Sequence, residues 1–193
     1  MHDSFRIVRT VFDWAYGLYR LPDRVRYPNR IELDFAIQLQ EQSNWCWAAT
    51  ASSISHHYEP NASVSQNEIV GRALGVRPPW IPDESWNRSA PMMTGLRIVR
   101  CDAGTQRNSA SFRRILKELD RNNPICVQIK WPTKQGHAVV ITGGWIAEDG
   151  SEHYIVGDPG FGDSFPVPGD ELHLDYLEFG GEWVQTYFVR APY

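Results

Sequence analysis

The order in which hydrophobic patterns follow one another constrains this chain most. After one alternating segment, patterns of helical period occupy the middle of the sequence. Four apolar runs, ICVQIKW, GHAVVITGGWI, HYIVGD and WVQTYFVR, then fill its last third. Each run is too short for a buried helix and rich in β-branched and aromatic residues, so each reads as a strand. Helices first and strands afterwards predict an α+β fold, with an antiparallel sheet packed on a helical half.

The helical stretches can be bounded. Asn44 to about Tyr58 predicts a helix capped by Ser43 or Asn44 and rich in alanine. Ser65 to Leu74 predicts a second, with Ser65 and Glu68 at capping-box spacing. Ser109 to Arg121 predicts a third, ended by Asn122-Asn123-Pro124. The alternation in RIELDFAIQLQ, with Ile31, Leu33, Phe35, Ile37 and Leu39 on one side, predicts a half-buried strand. Residues 75–108, with Pro78, Pro79, Pro82 and Pro91, are expected to be mostly irregular.

At the N-terminus, Val8, Val11, Phe12, Ala15, Leu18 and Tyr19 recur at helical spacing. The expected division is an amphipathic helix with its connector over residues 1–30 and one domain over residues 31–193. Arg6, Arg9 and Asp13 interrupt what would be a signal-peptide core, so the chain is expected to be cytoplasmic as synthesised, with any export independent of a signal peptide. No run approaches the roughly 18 uncharged apolar residues of a membrane span. A net charge of −4 and a pI near 5.8 argue against a nucleic-acid partner. Three scattered cysteines make neither a disulfide framework nor a zinc cluster, and no metal or organic cofactor is expected.

The chemistry concentrates in QLQEQSNWCWAAT. Cys46 falls in the first turn of a helix, where unpaired N–H groups and the positive end of the helix dipole favour a thiolate. By itself this placement leaves Cys46 open between nucleophile and structural residue. Cys126 lies in a strand and reads as structural.

A thiolate nucleophile needs a base within hydrogen-bond reach. His56 and His57 stand on the same helix, about 15 Å beyond Cys46 at roughly 1.5 Å per residue. His2 is in the N-terminal tail and His173 in a loop after PVPGD. His137 and His153 each open a strand. We prefer His137, which follows Gly136 and is anchored by AVVIT; the bland alternative is a hydrogen-bonded histidine at a strand start. Asp158, at the end of YIV and before PGFG, is either the group that orients His137 or a turn initiator. A two-residue Asp149-Gly150 hairpin would set Asp158 opposite Ile141, about 13 Å along the strand from His137. The orienting role therefore requires a longer connection or a bulge, for which Gly143-Gly144 offers a place.

QEQSNWCWAA, SQNEIV, GHAVVITGGW and YIVGDPGFG, in that order, resemble the papain-like cysteine peptidases of bacterial type. The likeness is strongest to the group that includes secreted plant-pathogen effector proteases, and weaker to bacteriocin-leader-processing peptidases. It runs from about Ile31 to the C-terminus. It implies a cysteine endopeptidase with Cys46 as nucleophile, His137 as base, Asp158 as orienting residue, and Gln40 in the oxyanion hole with the Cys46 N–H. Gln42 is the substitute for Gln40. The implied partner is a protein or peptide substrate, such as a host protein or a leader peptide. The same residues would also serve a deamidase, a transglutaminase-like enzyme or an acyltransferase, and a catalytically silent binding module is the reading from another class.

Overall fold

The structure is a computed structural model that describes residues 30–193. The expected N-terminal amphipathic helix, His2 and most of the connector lie outside the described residues.

The strands form one sheet in the order β2 (Asp102–Arg107), β7 (Glu182–Val189), β3 (Ile125–Lys130), β4 (Gly136–Ile146), β5 (Glu152–Asp158), β6 (Asp163–Pro168). Neighbours run antiparallel, and the short β1 (Ile31–Glu32) pairs with Gly143 and Gly144 of β4. Alternate residues of β4 enter opposite cores. Ala138 and Val140 pack toward helices α1 (Cys46–Tyr58), α2 (Gln66–Ala73) and α3 (Met92–Ile98). Val139 and Ile141 pack toward α4 (Phe112–Leu119) and α5 (Gly169–Leu174). Burial on both faces explains why the β4 sequence is a continuous apolar run rather than an alternating one. The predicted α+β architecture is what the chain forms.

Helix α1 is the hub of the helical half. Every residue from Trp47 to Ser55 is buried, and its small side chains admit neighbours on all sides. Gly95 of α3 is one such close approach. A Cβ there would lie 2.8 Å from the Ala51 Cβ and 3.1 Å from the Trp47 carbonyl. Helix α2 starts as predicted, with the Ser65 side chain accepting from the Glu68 N–H.

Several expectations are corrected. The strand expected over 31–40 survives only as β1. Beyond Leu33, side chains rather than a neighbouring strand serve much of this segment's backbone: Gln38 N donates to Ser53 Oγ at 2.9 Å, and Gln66 Nε2 donates to the Leu39 carbonyl at 2.9 Å. The alternation marked an extended chain lying on the core, and it fails at Leu39, which is exposed. Helix α1 begins at Cys46 with Trp45 as N-cap, and neither Ser43 nor Asn44 caps it. Helix α4 is shorter at both ends than the sequence suggested.

Residues 75–108 hold a 3-10 turn at Glu84–Trp86, helix α3 and strand β2. Pro91 is the N-cap of α3, where proline breaks nothing. β2 is an edge strand with a mostly exposed, polar sequence and so lacks an apolar signature. β6 and α5 carried no recognised signal. Pro166 and Pro168 argue against a strand, yet are tolerated because β6 is the other edge. His173 therefore sits in a helix, not a loop.

Candidate active site

Cys46, His137 and Asp158 meet where α1 abuts the sheet. Cys46 is placed by the start of α1, whose first N–H groups have no intrahelical acceptor. The tryptophans on either side tie that start to a neighbouring loop. Trp45 Nε1 donates to the Trp86 carbonyl at 2.9 Å, and Trp47 Nε1 to the Arg88 carbonyl at 3.1 Å. Asn87, between those two acceptors, takes up the residues expected to cap. Its Oδ1 accepts from Asn44 N at 2.9 Å, its Nδ2 donates to Ser43 Oγ at 2.9 Å, and its carbonyl accepts from Asn44 Nδ2 at 3.1 Å.

His137 stands at the start of β4. Its Nε2–H donates to Asp158 Oδ1 at 2.7 Å, which leaves the other ring nitrogen available to the Cys46 thiol, close enough for the imidazole to lower that thiol's pKa. The Asp158 side chain is 1% exposed. Its carboxylate also accepts from Gly160 N at 2.7 Å, while its carbonyl accepts from Phe161 N and Gly162 N. One residue thus both closes the DPGFG turn and bonds the imidazole.

The obstacle of register is removed by two adjustments. The connection between β4 and β5 is a three-residue loop closed by Ala147 N donating to Ser151 O, with Gly150 at φ +87°. A bulge then lies between Ile141 and Gly143, at Thr142 rather than at the glycine pair. Val140 therefore faces Gly157, which brings Asp158 alongside the His137 end of β4.

Gln40 is half-buried beside this group. Its backbone N donates to the Pro159 carbonyl at 2.8 Å, joining the Gln40 segment to the Asp158 turn. The close approach needs Gly162, at φ +66°, because a Cβ there would lie 2.8 Å from Leu39 Cβ. The Gln40 amide donates to the Gln42 and Ser43 carbonyls at 3.0 and 2.9 Å. Gln42 itself is exposed.

The electrostatics follow from these contacts. Burial alone would raise the Cys46 thiol, but the hydrogen bond and positive charge of His137 and the Ala138 backbone amide bring it below the ordinary value. Burial alone would lower His137, but the Asp158 carboxylate and then Cys46 hold its imidazolium well above the usual range. The arrangement shifts the balance toward a thiolate–imidazolium pair.

Of the other described histidines, His56 is exposed and three are engaged elsewhere. His57 bonds the Asn122 carbonyl, His153 stacks on Trp145, and His173 packs on Tyr154 and Trp183. Trp45, Trp86, Trp145 and Trp183 are core residues. Trp131 stacks on His137, with ring centroids 6.2 Å apart. Two residues of this neighbourhood escaped the sequence analysis, Asn87 and Tyr176. The Tyr176 hydroxyl donates to Asp158 Oδ2 at 2.9 Å. Neither carries a local signal, since their partners lie 43 and 18 positions away. Among the described residues no cluster of histidine, cysteine and acidic side chains could hold a metal ion, and no helix is long and apolar enough to cross a membrane.

A family model described as papain-like cysteine protease AvrRpt2 matches residues 29–165. No curated protein sequence matches the chain. Among solved structures, the proform of the ragweed pollen allergen Amb a 11, a cysteine protease, aligns at 14% identity and TM-score 0.46 over 89% of this chain and 67% of its own. A second structure of that proform aligns at 12% identity and TM-score 0.48, and this chain spans 61% of its length. A recombinant stem bromelain precursor aligns at 13% identity and TM-score 0.44 over 84% of this chain and 70% of its own.

Proposed function

We propose that this chain, which belongs to the papain-like cysteine protease family, cleaves peptide bonds with Cys46 as nucleophile, His137 as general base and acid, and Asp158 as the group that orients the imidazole. Gln40 and the Cys46 backbone N–H form the oxyanion hole. One observation carries the reading: the imidazole whose proximity lowers the helix-start thiol is itself bonded, through Nε2 at 2.7 Å, to a buried carboxylate.

In this scheme the Cys46 thiolate attacks the scissile carbonyl carbon, and the electron pair of the C=O bond moves to oxygen. The oxyanion is met by the Cys46 N–H, free of an intrahelical acceptor, and by the Gln40 amide. The Gln42 and Ser43 carbonyls hold that amide in place beforehand. The charged oxyanion is the stronger acceptor and draws its hydrogens. Collapse of the intermediate breaks the C–N bond, and the His137 imidazolium gives its proton to the departing amine. The neutral imidazole then takes a proton from water as the water attacks the thioester. Collapse releases the new carboxylic acid and restores the thiolate–imidazolium pair. Asp158 keeps its negative charge throughout and holds the ring in one orientation.

The test is incubation of the full chain with an unfolded protein, reading new termini by mass spectrometry. Cleavage is expected from the parent chain and none from Cys46→Ala or His137→Ala. Cleavage that persists in Cys46→Ala would overturn the assignment.

A further inference from the structure

Tyr176 lies behind the imidazole and has no part in the scheme above. It is 0% exposed, and its hydroxyl donates to Asp158 Oδ2 at 2.9 Å. The carboxylate thus accepts on both oxygens, from His137 Nε2 and Gly160 N on Oδ1 and from Tyr176 on Oδ2. We propose that Tyr176 is a positioning residue of this protease, which acts through Asp158 to fix the plane of the carboxylate and with it the direction of the His137 ring. The proposal rests on the Cys46–His137 reading.

Two observations support it independently. The first is geometric. A carboxylate held on one oxygen can turn about its Cβ–Cγ bond, whereas donors on both oxygens fix its plane. Gly160 belongs to the same turn as Asp158 and moves with it. Tyr176 comes from another segment, anchored by its own N–H to the Gly181 carbonyl at 2.9 Å, and so supplies an outside reference.

The second is packing. The Tyr176 ring lies 6.1 Å from Trp131, whose ring stacks in turn on His137 at 6.2 Å. The layer backs the imidazole with apolar surface, and in such surroundings each hydrogen bond to the carboxylate gains strength. The hydroxyl stays a donor at every working pH, because burial and the Asp158 charge hold its proton far above the usual range. The charged groups acting on the hydroxyl are Asp158 from β5 and Glu171 from α5, and Asp158 in turn acts on His137 from β4 and Cys46 from α1. The Asp175 carboxylate accepts from Gly180 N at 2.7 Å.

The sign of the effect follows. By sharing the carboxylate charge, the Tyr176 hydroxyl weakens the pull of Asp158 on the imidazolium. Tyr176→Phe keeps the ring and removes the donor. Its kcat is expected to fall about tenfold, the cost of a lost hydrogen bond to a charged group, with KM little changed. The alkaline limb of the pH profile for Cys46 alkylation by iodoacetamide should move to higher pH. In an Asp158→Asn background, Tyr176→Phe should add nothing, because the two residues act in series. A site-specific fluorotyrosine at 176, a stronger donor of almost the same shape, should move the limb the other way.

An alkaline limb that superimposes on the parent's in both Tyr176 variants, or losses that add fully to those of Asp158→Asn, would overturn the proposal and leave Tyr176 a packing residue. The same titration of His137→Ala separates the two readings. If it matches the parent, the Cys46–His137 pairing fails and the Tyr176 proposal falls with it.

Discussion

Burial acts on all three thiols in the same direction, yet their surroundings part them. Cys101 is pushed up to about 12 by burial and by the charges of Glu59 and Asp102, and Cys126 higher still. At Cys46 the imidazole and the Ala138 amide outweigh burial and reverse the shift. Brief iodoacetamide treatment at neutral pH is therefore expected to alkylate Cys46 alone, as read by mass spectrometry. Comparable labelling of Cys101 or Cys126 would contradict it. Gln40 is separable from the thiol in the same way. Loss of one oxyanion donor costs about 10² to 10³ in turnover, so Gln40→Ala should fold and still alkylate at Cys46 while hydrolysing poorly. Gln42→Ala, which removes an exposed side chain but keeps the carbonyl that the Gln40 amide meets, should stay near the parent rate; the reverse pattern would assign the donor to Gln42.

At the level of elements, the position of Cys46 depends on what α1 can lie against. Small residues around α1 let α3 approach so closely that Gly95 has no room for a side chain. Gly95→Val is expected to cost about 1–3 kcal/mol by overpacking, because Ala51 and the Trp47 backbone cannot both retreat from a buried helix. The loss would appear in urea denaturation. Since Trp47 directly follows Cys46, the proposed nucleophile, hydrolysis by the folded fraction should fall as well. Unchanged stability would mean that α3 shifts freely over α1. The β4–β5 pair makes a similar point: a three-residue loop and one bulge at Thr142 decide whether Asp158 meets His137.

For the molecule as a whole, the site is a tie between halves, since Cys46 belongs to the helical half while His137 and Asp158 belong to the sheet. The His137–Asp158 pair then contributes to stability with a definite pH dependence. Cys46→Ala leaves that pair to titrate alone. The folded-state value of His137 lies above the unfolded one of about 6.5. Its contribution is therefore fully present below about pH 6.5 and lost as pH rises through the raised folded value. The stability gap between Cys46→Ala and Cys46→Ala with His137→Ala, measured by urea unfolding, should be widest in mild acid and narrow in alkali. A gap that widens with pH would show that the imidazolium is not stabilised in the fold.

What the sequence determined by itself are the features written in local patterns. Ser65 with Glu68 marks the start of α2, the polar turn before CWAA sets Cys46 at the start of α1, and the apolar runs give β3, β4, β5 and β7. These depend on neighbours three or four positions away, or on a period of two. The tertiary structure alone decided what depends on distant partners. The segment after β1 lies extended without a ladder because Ser53 and Gln66 serve its backbone. Asn87 draws Ser43 and Asn44 away from capping α1, and Tyr176 bonds the carboxylate that faces His137. Edge position lets prolines enter β6, and a polar β2 finds its place on β7. In each case the deciding hydrogen bond or burial joins residues far apart along the chain, so no window of the sequence contains both sides of it.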